Sequence, residues 1–266
     1  MSVSMFRNRF FLNSHYPLPA IRPVLHFLCI LIITGIGIPT IACNGAKKQS
    51  THDFFMGVDM KLPSNTVIKR DKKNETIIFL KGKNLSKALE RAAEFQKLQS
   101  EDLFSEIALA FLSANRLLFK IVEPRDELTV KSITTDELGL THVKFQQVYN
   151  GLFVWGCEIN VHLGQAKHIY LVQGRYIPTP ANVSLRPALS QEKAMRIVAE
   201  NLGVAGSKCP GCHSEMIISS ALDIEPCLAY LIVATPRLLE GWEFIINAKT
   251  GKILEKLPTV YNKKSR

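Results

Sequence analysis

An Asn-Gly pair at 150–151 separates two runs of alternating apolar residues, LTHVKFQQVY (140–149) and LFVWGCEINVHL (152–163). Asn-Gly suits the positive φ angles of a primed two-residue turn, whose twist matches that of paired strands, so residues 140–163 are committed to an antiparallel hairpin. Alternation puts Phe153, Trp155, Cys157, Ile159, Val161 and Leu163 on one face of the return strand. It puts Val154, Glu158, Asn160 and His162 on the other. Val143, Phe145 and Tyr149 share a face of the outgoing strand. Cys157 is therefore expected to be an inert core thiol.

The rest of the chain supplies partners for this hairpin. Val67 to Leu80 reads as a smaller hairpin around Asp71-Lys72-Lys73-Asn74. Asn84 is placed to cap a helix running to about Leu98, and Ser100 opens a second, with Glu101 and Asp102 in its first turn. The second helix has Leu103, Phe104, Ile107, Ala108, Phe111 and Leu112 at core spacing. Strands are expected at 117–122, 127–134 and 167–176, then a proline-rich linker at 177–189. Ser190 caps a helix with Ala194, Ile197, Val198 and Leu202 inward and Gly203 beyond its end. Strands follow at 215–220, 228–235, 241–247 and 252–257. Helix plus antiparallel sheet, twice over, predicts an α+β fold of two small modules, at 66–176 and 190–257.

The first 43 residues are of another kind. They hold three basic residues (Arg7, Arg9, Arg22), no acidic one, and a nearly all-apolar run from Val24 to Ala42. Basic residues before an apolar segment describe an export signal. The run ends Thr40-Ile41-Ala42-Cys43, which resembles a bacterial lipobox and makes Cys43 the candidate for lipidation. Cleavage after Ala42 and an uncut anchor are the competing readings. All three place the rest of the chain outside the cytoplasm, in or beyond a bacterial cell envelope. Residues 44–65 then read as a tether and 258–266 as a polar tail.

The net charge of +10 invites a nucleic-acid reading, but its distribution does not support one. Residues 44–100 carry 12 basic and 6 acidic side chains, whereas 101–266 carry 18 and 17. The excess thus sits in the tether and first hairpin, where anionic lipid headgroups are the better partner. No nucleic-acid partner is expected.

The series Phe145-Gln146-Gln147, Tyr149-Asn150-Gly151, Val154-Trp155-Gly156 and Glu158, preceded by Asp136-Glu137-Leu138-Gly139, resembles the fungalysin/thermolysin propeptide motif. Residues 190–257, ending in Gly241-Trp242-Glu243-Phe244 and Asn247-Ala248-Lys249-Thr250-Gly251-Lys252, resemble a PepSY domain. In thermolysin-like metallopeptidases these two modules form the propeptide, which assists folding of the catalytic domain and inhibits it until removed. The catalytic signature His-Glu-x-x-His is absent from this sequence, whose histidines beyond the leader are His52, His142, His162, His168 and His213. The resemblance implies a non-enzymatic propeptide-like module acting in trans on a metallopeptidase catalytic domain. A non-catalytic remnant of a truncated precursor is an alternative. Most motif residues are expected to be fold determinants. A partner would meet the solvent face of the hairpin: His142, Lys144 and Gln146 on one strand, Glu158 and Asn160 on the other.

Cys209-Pro210-Gly211-Cys212-His213 fits the pattern of covalent c-type haem attachment, with His213 proximal and Met216 as a candidate distal ligand. An electron-transfer lipoprotein is therefore a further alternative. A zinc site using Cys209, Cys212, Cys227 and His213 is another reading of the cluster. A disulfide within 209–212, or from one of these to Cys227, suits an oxidising compartment without any cofactor. The leading expectation is no cofactor.

Overall fold

The computed structural model describes residues 62–87, 89, 103–204, 211–220, 225–237 and 240–259, all within the compact unit Lys48–Arg266. The leader, Cys43, the tether, most of the helix expected after Asn84, and Cys209 lie outside the described residues. Among the described residues no helix is long and apolar enough to cross a membrane.

The α+β class holds. Strands β1 (Val67–Arg70) and β2 (Ile77–Lys81) form the first hairpin. Helix α1 (Leu103–Ala114) follows, then the one-turn helices α2 (Arg116–Phe119) and α3 (Pro124–Glu127). Strands β3 (Leu128–Thr135), β4 (Thr141–Tyr149), β5 (Leu152–Leu163) and β6 (Ile169–Arg175) come next. After the proline-rich segment, α4 (Gln191–Asn201) precedes β7 (His213–Ser219), β8 (Cys227–Arg237), β9 (Glu240–Asn247) and β10 (Ile253–Pro258). The strands join in one sheet ordered β1-β2-β6-β5-β7-β8-β9-β10, and β4 with β3 branches from β5. Every pairing is antiparallel except β5 with β7, which meet in parallel at Val154 and Ile218.

One expected strand is absent. Residues 117–122 turn through α2 instead, which ends at Lys120 in the left-handed region (φ 57°). Packing explains the departure. Phe119 and Ile121 are fully buried while Leu117 stands out in solvent, and Phe119 meets Phe111 and Tyr176 edge-on or tilted at about 6 Å. A turn of helix satisfies that arrangement, and a strand edge would not. The Ser190 cap forms as its position implies, its hydroxyl accepting from Lys193 N, and Gly203 follows α4 with positive φ.

The main core lies between the sheet and α1 on one side of the chain's length and α4 on the other. It runs from Leu80, Phe111, Phe145 and Val161 to Val198, Ile232 and Phe244. A second, smaller core covers the opposite face of β7–β9, where Ile217, Ala229, Leu231 and Ile245 pack with Trp155 and Leu254.

Candidate partner-binding face

The hairpin 141–163 carries a wide bulge that its Asn-Gly turn does not announce. Near the turn Tyr149 pairs with Leu152 and Val148 with Phe153. Beyond the bulge Gln146 pairs with Glu158, so Val154 to Cys157 stand opposite Gln147 alone. Two devices hold this geometry. Gly156 adopts a positive φ (68°) that a side chain would strain. Gln146 folds into the bulge, its Nε2 donating to the carbonyls of Val154 and Cys157 at 2.9 Å and of Gln147 at 3.1 Å. Those contacts supply a donor to carbonyls in a stretch that has left the β4 ladder, where an unpaired buried carbonyl is costly. Buried Gln147 clamps the exit of β6, donating to Ile177 O at 2.9 Å and accepting from Ile177 N at 3.1 Å.

The bulge also corrects the expected faces of β5. Alternation holds from Cys157 to Leu163, where odd-numbered residues are buried, but it inverts before Gly156. Val154 is fully buried, Phe153 is 44% exposed, and Trp155 swings to the second core. Cys157 is buried as expected, 3.3 Å from Ser220 Oγ, and burial pushes its thiol pKa up.

On the open face of β4 and β5 the cross-strand pairs are His142 with His162, Lys144 with Asn160, and Gln146 with Glu158. All five expected face residues are present there, though the Gln146 amide is spent on the bulge. Glu158 is bracketed by two ammoniums, Lys131 from β3 and Lys144 at 3.5 Å. Partial burial raises the Glu158 pKa, but Lys131 and Lys144 outweigh it and hold the carboxyl below its ordinary value. Residue 158 faces Arg175 across the β5–β6 pair. There Gly174 lets the backbones approach so closely that a methyl group would overlap Glu158 O and lie 2.9 Å from Ile159 Cα.

Two further polar residues, His162 and Asp136, converge on His142 beside this pair. His142 and His162 face each other with their Nδ1 atoms 2.7 Å apart, and Asp136 Oδ2 lies 3.2 Å from His142 Nε2. Asp136 is fixed by the backbone N–H groups of Leu138 and Leu140, each 2.9 Å from Oδ1. Those contacts, the Leu140 N–H foremost, hold its carboxyl below the ordinary value. Burial, with the neighbouring His142, lowers the pKa of His162, whose Nε2 is buried without a hydrogen-bond partner. The Tyr170 ring lies 6.2 Å away. His162 was legible as a same-face residue. Its pairing with His142 was not, because an unbulged two-residue hairpin would set His142 opposite Ile159.

The cysteine cluster separates. Cys212 takes part in a disulfide. Cys227 is a free, half-buried thiol that accepts from Asn247 Nδ2 at 3.3 Å, which removes it from the disulfide candidates. It sits at the start of β8, six register steps from His213 at the far end of β7. His213 and Met216 lie three apart on a regular stretch of β7, so they point to opposite faces and do not converge as axial ligands. Among the described residues no group of three or more His, Cys, Asp or Glu side chains is placed to hold a metal.

These features resemble a known propeptide motif. Residues 126–176, from α3 to the end of β6, match the Fungalysin/Thermolysin Propeptide Motif. Similar proteins include Bacillolysin of Bacillus subtilis (strain 168), 28% identical over 156 residues covering 54% of this chain and 29% of the relative. Thermolysin of Bacillus caldolyticus is 27% identical over 170 residues, covering 60% and 31%. The chain thus spans about a third of the length of the curated relatives it matches, and resembles the propeptide region of thermolysin-like peptidases. Among solved structures, the Bacillus megaterium YpeB C-terminal domain aligns over 77% of this chain and 92% of its own, with 11% identity and a TM-score of 0.36.

Proposed function

We propose that this chain is an exported, lipid-anchored, non-catalytic binding module that associates with the catalytic domain of a thermolysin-like zinc metallopeptidase, inhibiting it or assisting its folding. The supporting observation is the motif match over 126–176, whose two glutamines build the bulged hairpin that presents the polar face. Contact would run through His142, Lys144, Glu158 and Asn160, in a steric and electrostatic complex with no covalent chemistry. Cys43 would carry the lipid, and a Cys209–Cys212 disulfide would close the loop before β7 in an oxidising envelope.

Titration of the purified mature chain against a thermolysin-like enzyme tests this. Slowed hydrolysis of a peptide substrate at micromolar protein, or a faster return of activity when the denatured enzyme refolds with it, is the expected result. Neither effect at micromolar protein would overturn the proposal.

A further inference from the structure

We propose that His142 and His162 form a binding site for one divalent transition-metal ion of the imidazole-preferring group (copper, nickel or zinc), with Asp136 as the positioning residue behind His142. The inference stands apart from the protease-binding reading, since it rests on three side chains and their geometry.

The two imidazoles come from directly opposed positions on β4 and β5. Their centroids lie 4.8 Å apart and their planes cross at 67°. The Nδ1 atoms, 2.7 Å apart, therefore aim at a common point. With His142 accepting at Nδ1, the shared hydrogen is on His162 Nδ1. A metal ion takes both Nδ1 lone pairs once that proton has moved to His162 Nε2, leaving each ring a neutral ligand. Zinc–nitrogen bonds of about 2.0–2.1 Å at a near-tetrahedral angle put the two nitrogens about 3.3 Å apart. The rings must part by roughly 0.6 Å, and the His142 side chain, 29% exposed, has solvent to move into.

Asp136 supplies the feature that distinguishes a ligand pair from two neighbouring histidines. Metal-bound histidines commonly donate their second ring N–H to a carboxylate, which fixes the tautomer and raises ligand basicity. Asp136 Oδ2 stands at that position on His142 Nε2, so the lone pair of His142 is on Nδ1, facing His162. Two backbone N–H groups hold the carboxylate from behind, and the Asp136-to-Leu140 turn is closed by Asp136 N donating to Leu140 O. The adjacent ammonium of Lys144, which would repel a cation, lies 3.5 Å from Glu158. With two protein ligands, water fills the remaining positions, and the affinity order follows the general one, copper above nickel and zinc.

The test is metal titration of the chelator-stripped full chain by calorimetry, with copper(II), nickel(II) and zinc(II). One equivalent per chain is expected, tightest for copper. His142→Gln and His162→Gln should each weaken binding by about tenfold or more, and Asp136→Asn by about tenfold. His168→Gln and His213→Gln should leave it unchanged. Absence of binding at high-micromolar metal, or one-equivalent binding that survives both His142→Gln and His162→Gln, would overturn the proposal. Should those variants fail to fold, nitrogen-detected NMR of the wild-type imidazoles decides. Metal-induced shifts at the Nδ1 atoms of His142 and His162 support the site, and shifts confined to other histidines refute it.

Discussion

Strands β4 and β8 are both central, yet their burial patterns differ in kind. In β4, buried and half-buried residues alternate from Thr141 to Gln146. In β8, Leu228 to Ile232 are buried without a break. The cause is what lies on each face. β4 has the main core on one side and solvent on the other, whereas β8 has the α4 side of the main core on one face and the Trp155–Leu254 cluster on the other. An open sheet face can carry charge and imidazole at little cost, while a strand covered twice has no position free for either. Charged and imidazole side chains therefore concentrate on the hairpin half of the sheet, and β7–β9 contribute stability.

Stability measurements can break this contrast. Ile232→Ala, at a fully buried site in β8, should cost about 2–5 kcal/mol in urea unfolding. Asn160→Ala, on the open face, should stay within about 0.5 kcal/mol. Similar losses at the two sites would show that the open face is covered. Next in size is Gln146→Ala, which strips the donor from three carbonyls in the bulge and should cost about 1–3 kcal/mol. If Gln146 were only a surface contact, the urea midpoint would barely move.

A smaller effect should appear as a pH dependence. His162 has its folded pKa lowered, so the unfolded chain binds more protons between that value and the ordinary one near 6.5. Stability is then full above about pH 6.5 and falls as the pH drops toward the folded pKa. His162→Gln should flatten the profile of melting temperature in that window, whereas an unchanged slope would assign it to other groups.

How much of this was legible follows from the same physics. The Asn-Gly turn and the alternation on either side of it located β4 and β5 to within a residue, because both signals are local. The bulge was hidden because its cause is not local: Val154 leaves β4 to pair with Ile218, a residue more than sixty positions later. That single pairing shifts the register by three, turns Val154 inward and Trp155 toward the second core, and brings His142 opposite His162. Gly156 was visible as a glycine inside a strand pattern, the usual mark of a bulge. Gln146 was placed on the solvent face by alternation, which is where it lies, but its amide's targets depended on a register the sequence could not reveal. Residues 117–122 misled for a related reason. Their apolar run suits a strand, and only the Phe111–Tyr176 surroundings of Phe119 make a helical turn the better fit.

The smallest effect expected belongs to the most conspicuous charges. Glu158 is held by Lys131 and Lys144, but all three side chains are 30–49% exposed, where ion pairs contribute about 0–1 kcal/mol and salt screens them. Glu158→Gln should therefore lower stability by less than about 1 kcal/mol, and the difference should shrink in molar salt. Its folded pKa lies below the ordinary value, so whatever it contributes is present above about pH 4.5 and is lost as the pH falls through the folded pKa. A loss comparable to that of Ile232→Ala, insensitive to salt, would mean that the open face is as much a part of the folding core as β8. Its charges would then be structural, leaving the imidazole pair as the remaining binding chemistry on that face.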